Sequence, residues 1–153
     1  QFNVFKGHTD WIGCVKYGSN ELGNIGGANT ILSGSHDKSV HLWDIRSGEQ
    51  IQMFNGHTSL VYTVEYSPFV VDSIEVGGSS NVICSGSSDN TIRFWDIRSN
   101  KKELYVIKND NGIFCLKFLQ LKKKGKKIYN NNNICCGVNL CYGLYNGAIC
   151  FWG

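Results

Sequence analysis

Two sets of side chains in this sequence could together carry out acyl transfer: His57, Ser85 and Asp89, and before them His8, Ser33 and Asp37. A serine hydroxyl activated by an imidazole, itself oriented by a carboxylate, is the arrangement that chemistry requires. Serine and aspartate stand four residues apart in both sets, inside the blocks "SGSHDKSVHLWDIRS" (33–47) and "SGSSDNTIRFWDIRS" (85–99), which agree at nine of fifteen positions. Each block adds a tryptophan, Trp43 or Trp95, whose indole N–H needs an acceptor once buried. A hydrolase needs its triad once, whereas this constellation is written twice, with no Gly-x-Ser-x-Gly elbow and no helix N-terminus to supply an oxyanion site. Asp accepting from His, His held by Ser and Ser accepting from Trp would satisfy every buried polar group at once, so the set reads as a structural network.

The elements that must position these residues are short strands. Ahead of each block stands a Gly-His pair, in "FKGHTDWIGCVKY" (5–17) and "FNGHTSLVYTVEY" (54–66). A worn third unit follows, with "IKNDNGIFCLKF" (107–118) and "CYGLYNGAICFWG" (141–153), where Asn109, Tyr142 and Asn146 replace His, Ser and Asp and only Trp152 remains. Such internal periodicity is the mark of a repeat architecture. In the second unit four β-prone stretches are predicted at 59–66, 81–87, 91–96 and 102–108, separated by Asn, Gly, Ser and Asp. Apolar residues pointing both ways in the second and third of these demand a sheet covered on both faces, as when four-stranded sheets stack on one another.

Gly-His, then Ser-Gly-Ser-x-Asp, then Trp-Asp resembles the signature of the WD40 repeat, and the resemblance covers nearly the whole chain. It implies an all-β fold of β-propeller blades, with repeats at about 6–54, 55–108 and 109–153 and residues 1–5 as the end strand of a preceding blade. It also implies hydrogen-bonded tetrads of His8, Ser33, Asp37 and Trp43, and of His57, Ser85, Asp89 and Trp95, and a soft third blade. Three units fall short of a closed ring, so an arc of a larger propeller or an association of two chains with exchanged end strands is expected. The family's partner contacts map onto Trp11, Gly13 and His36, then Leu60, Tyr62 and Ser88, then Gly112, Phe114 and Tyr145. Arg46 and Arg98, after Trp-Asp, resemble the box by which some WD40 proteins dock on the adaptor of cullin-4 ubiquitin ligases.

The totals fit this reading. A chain of 153 residues with 42% hydrophobic residues can bury a core. No apolar run is long enough for a membrane span, and the opening residues carry no basic-then-apolar leader. Seven cysteines without metal-ligand spacing read as free thiols in a reducing compartment, so neither a metal nor a cofactor is expected. The net charge of +3 comes from "KKKGKK" (122–127), a candidate patch for RNA or another acidic surface; the rest of the chain is not basic, so nucleic acid is the weaker expectation. The expected function is a non-catalytic, cytoplasmic or nuclear scaffold whose propeller rim binds protein or peptide partners, with the cullin-4 receptor and RNA-binding readings as alternatives.

Overall fold

The computed structural model describes residues 3–18, 29–67, 82–99, 103–120 and 138–152. Residues 122–127 and the inserts between first and second strands lie largely or wholly outside them, as do Cys135 and Cys136. The described residues form eleven strands and no helix. The first sheet holds β1 (Ile12–Gly18), β2 (Thr30–Ser35), β3 (Ser39–Asp44) and β4 (Gln50–Asn55). The second holds β5 (Val61–Tyr66), β6 (Val82–Ser87), β7 (Thr91–Asp96) and β8 (Tyr105–Lys108). The third holds β9 (Ile113–Gln120), β10 (Val138–Leu144) and β11 (Ile149–Trp152). All pairings are antiparallel between sequence neighbours, the pattern of short strands joined by tight turns.

The predicted strands of the second unit are present, with trimmed ends. β5 begins at Val61 because Ser59 and Leu60 turn to offer their carbonyls to the Ser87 hydroxyl and the Ser88 N–H. Register repeats from sheet to sheet: Ile31, Ile83 and Leu140 pair with Trp43, Trp95 and Trp152. The turn into the third strand holds one left-handed residue at the same place each time, Lys38 (φ 73°), Asn90 (φ 67°) and Gly147 (φ 83°). Asn and Gly take that conformation readily; lysine does so against a steric cost.

Hydrophobic burial lies between sheets rather than within them. Leu32, Val40, Leu42 and Phe54 of the first sheet pack with Val61, Val64, Ile83 and Trp95 of the second. Cys84, Ile92 and Phe94 of the second pack with Ile113, Leu116, Leu140 and Tyr142 of the third. Double-faced strands such as β6, buried along its whole length, are the consequence. Gly34 and Gly86 stand where the next sheet comes closest: a Cβ would lie 2.8 Å from Val61 in the first case and 2.6 Å from Ile113 in the second. This stacking of blade-like sheets is the architecture that the repeat demanded.

Candidate functional site

In the first sheet Trp43 Nε1–H donates to Ser33 Oγ at 2.8 Å, Ser33 meets His8 Nε2 at 2.8 Å, and His8 Nδ1 meets Asp37 Oδ2 at 2.7 Å. In the second, Trp95, Ser85, His57 and Asp89 repeat the chain at 2.9, 2.7 and 2.8 Å. The indole only donates and the carboxylate only accepts, so every hydrogen points one way: Trp to Ser, Ser to His, His to Asp. The serine proton is therefore committed to the imidazole. Ser85 is fully buried.

Each aspartate does more than end its chain. Asp37 accepts from the N–H groups of Thr9 and Ser39 and from the Ser39 hydroxyl, and Asp89 does the same with Thr58 and Thr91. It thus ties the Gly-His segment to the turn between second and third strands. Burial pushes both carboxyls up, but the hydroxyl, imidazole and backbone donors outweigh it and hold them well below the usual carboxylate range.

His41 distinguishes the first sheet from the second, which has Arg93 at this register. Its ring stacks on His8 at 3.7 Å, its Nε2 meets Ser39 Oγ at 3.0 Å, and its Nδ1 is buried without a partner. Burial, reinforced by His8, pushes its pKa down to about 4. His8, Asp37 and His41 are the one potential metal-ligand group among the described residues, their ligand atoms lying within 4.8 Å of one another. Stacked rings aim their in-plane lone pairs side by side rather than at a common point, and His8 already uses both nitrogens. The group is a hydrogen-bonded network, not a preformed coordination site.

The third unit departs from the expectation of a lost network in one respect. Tyr142, at the serine position, reaches Asn109 Oδ1 with its hydroxyl at 3.0 Å, and Asn146 still accepts from Ala148 N–H. A larger side chain spans the gap left by the smaller histidine replacement. Trp152 takes no part and is 43% exposed.

Sequence reading missed a charge triad. Lys16 and Lys117 each place Nζ 3.1 Å from the buried Glu65 carboxylate, joining the first strands of all three sheets. The signal was present in the aligned stretches "VKY", "VEY" and "LKF", where one position alternates Lys, Glu, Lys.

The predicted partner residues come together along one edge. His36, Ser88 and Tyr145 donate their N–H groups to the carbonyls of Trp11, Leu60 and Gly112 at 2.8, 2.9 and 2.9 Å, so one bond recurs in each sheet. Above this stitching runs a row of rings. Trp11, 78% exposed, lies 5.9 Å from His36; His36 stands edge-on to Tyr62 at 5.4 Å; Tyr62 stacks on Phe114 at 4.8 Å and 4°. Tyr145 closes on Phe114 at 4.6 Å, and its hydroxyl meets that of Tyr62 at 3.3 Å. Leu60 and Ser88 belong to the support, because Ser88 Oγ bonds Ser59 Oγ and the Leu60 carbonyl. Gly13 is glycine because a Cβ would lie 2.6 Å from the Val61 carbonyl. Elsewhere, Arg46 is exposed, and Arg98 forks onto Asp96 with Nε and Nη2 at 3.1 and 3.0 Å.

The profile of the family described as "WD domain, G-beta repeat" matches residues 1–44 and 48–96. Among curated proteins, the chain is 31% identical over 96 residues to "Small ribosomal subunit protein RACK1y" of Oryza sativa subsp. japonica, covering 63% of this chain and 24% of that one. It is 35% identical over 89 residues to "WD repeat-containing protein pop2" of Schizosaccharomyces pombe, covering 56% and 13%. It is 27% identical over 99 residues to "Eukaryotic translation initiation factor 3 subunit I" of the same yeast, covering 65% and 25%. The chain therefore spans a quarter or less of the length of these relatives.

Two outcomes follow from the network. Asp89→Ala leaves His57 and the backbone of Thr58 and Thr91 unsatisfied and lowers stability by roughly 1–3 kcal/mol in denaturant titration; an unchanged midpoint contradicts it. The depressed pKa of His41 means that the unfolded chain binds more protons between its ordinary value near 6.5 and about 4, so stability falls as pH is lowered through that window. His41→Phe, which keeps the stack and loses the titration, flattens that slope in midpoints measured from pH 7 to 4.

Proposed function

The chain belongs to the WD domain, G-beta repeat family, and from that premise we propose that it acts as a non-catalytic interaction scaffold whose aromatic row binds a protein or peptide partner. The observation that carries this reading is the continuity of Trp11, His36, Tyr62, Phe114 and Tyr145 across three sheets. Exposed aromatic rings on rigid supports lose little side-chain entropy on binding and make large contact areas, which is what interface hot spots consist of. The buried serines favour a scaffold over an esterase for the same reason: their protons are already bound. Relatives named for the small ribosomal subunit and for an initiation factor support a cytoplasmic setting for this scaffold.

The row also favours the rim over the two arginines as the contact surface. Arg98 has guanidinium donors turned onto Asp96, so docking through it on a ligase adaptor would first have to break that fork. The lysine-rich segment at 122–127 lies outside the described residues.

The test compares partners captured by the parent chain, by Trp11→Ala/Tyr62→Ala and by Arg46→Ala/Arg98→Ala, followed by titration of the main captured protein. The rim pair weakens binding about tenfold or more with little change in melting, since its rings are outside the core. Full retention of partners by the rim variant, with loss in the arginine variant, overturns the reading.

A further inference from the structure

The two tetrads differ in what lies against the histidine. In both, a hydroxyl two residues past the aspartate gives its proton to that aspartate, Ser39 to Asp37 at 2.5 Å and Thr91 to Asp89 at 2.6 Å. The oxygen can then only accept, and the third strand supplies the donor. In the second sheet it is Arg93 Nε–H at 3.3 Å, and in the first it is His41 Nε2 at 3.0 Å. His41 is therefore held as the neutral Nε2–H tautomer, with Nδ1 a bare lone pair. That Nδ1 is buried and meets no partner among the described residues. The ring lies on His8 at 3.7 Å and 16°.

A second proton can enter His41 only at Nδ1, where the closed sheet offers nothing to receive it. The imidazolium would be a buried cation with one N–H unpaired, pressed face to face on the ring that links Ser33 to Asp37. Burial is the strongest influence against the charge, and His8 of the Gly-His segment adds to it; Asp37 of the turn favours the charge but is outweighed. From the flanking strands Ser33 of β2 and Met53 of β4 stand opposite His41 in register, and neither titrates in this range.

We propose that proton uptake at His41 opens the first tetrad locally, parting His8 from Ser33 and Asp37 while the second tetrad stays closed, so that the first sheet carries an acid-operated latch which the second lacks. Arg93 cannot play the same part, because its guanidinium keeps its charge throughout and its Nη1 is paired with Glu103 at 3.2 Å. Opening relieves the strain on charging: once His8 leaves, water reaches Nδ1 and the imidazolium is solvated.

The pH range follows from linkage. His41 is lowered from its ordinary value near 6.5 to about 4 in the closed form, so closure is fully supported above the first value and loses support as pH falls toward the second. Between pH 7 and pH 5 the opening equilibrium moves roughly twentyfold toward the open form. Opening also frees the aspartate that holds Thr9 and, through it, the segment leading to Trp11. Acid thus loosens the first-sheet end of the aromatic row; that consequence for a partner rests on the function proposed above, whereas the latch itself is read without any partner.

Hydrogen exchange at the indole N–H groups of Trp43 and Trp95 in the whole chain tests the latch. Taking the ratio of the two rates at each pH cancels the intrinsic dependence of exchange on pH, and unfolding of the whole chain would release both indoles together. The expected result is a Trp43 to Trp95 ratio that rises roughly twentyfold from pH 7 to pH 5. His41→Phe, which keeps the stack, and His41→Gln, which keeps a donor for Ser39, each level that ratio. A ratio that stays constant in the parent chain, or one that rises equally in either folded variant, overturns the proposal and leaves the rim reading untouched.

Discussion

A buried indole N–H can be satisfied only by an acceptor carried into the sheet with it, and the rest of this molecule is arranged around that constraint. Trp43 and Trp95 supply the apolar bulk that fills the sheet, and each brings one donor that costs about 1–3 kcal/mol if left alone. Serine accepts it and must then place its own proton, which histidine takes. Histidine in turn donates its Nδ1–H to the aspartate carboxylate. The chain stops there because a carboxylate has no proton left to pass on. Removing any link leaves its neighbours buried and unpaired, so the four residues behave as one unit.

The same aspartate couples this interior network to the surface. By accepting from Thr9 or Thr58, Asp37 and Asp89 fix the segment that begins at the Gly-His pair. Trp11 and Leu60 follow three residues after His8 and His57, and their carbonyls are caught by the N–H groups of His36 and Ser88. The rim is thus held from below by the tetrad and from the side by the backbone. The third unit, with a single tyrosine-to-asparagine bond in place of the chain, still presents Phe114 and Tyr145 because its rim bond from Tyr145 to Gly112 survives and its rings lean on Tyr62 of the preceding sheet.

What could be read from the sequence was what each repeat states about itself. The tetrads, the strand order and the rim positions are local to one unit and written in near-identical text, so alignment of two copies located them. Contacts between units were harder. The ion triad of Lys16, Glu65 and Lys117 crosses both junctions, and only its alternating charge along equivalent positions hints at it. The stack of Tyr62 on Phe114 likewise joins different sheets, so residues found as separate positions emerge as one continuous row. His41 was overlooked because it falls outside the repeat signature, although it is what sets the first sheet apart. Tyr142 as a substitute donor required a distance, since replacing serine by tyrosine and histidine by asparagine reads as loss until the longer side chain is seen to reach the shorter one.

The most direct measurement is hydrogen exchange at the four indole N–H groups, which give separate resonances in a chain with only four tryptophans. The indole protons of Trp43 and Trp95 should exchange only through opening of their sheets, far more slowly than those of Trp11 and Trp152, and Asp89→Asn should accelerate Trp95 while sparing Trp43. Equally fast exchange at all four, or no response of Trp95 to the loss of the Asp89 carboxylate, would contradict a network that runs unbroken from indole to carboxylate.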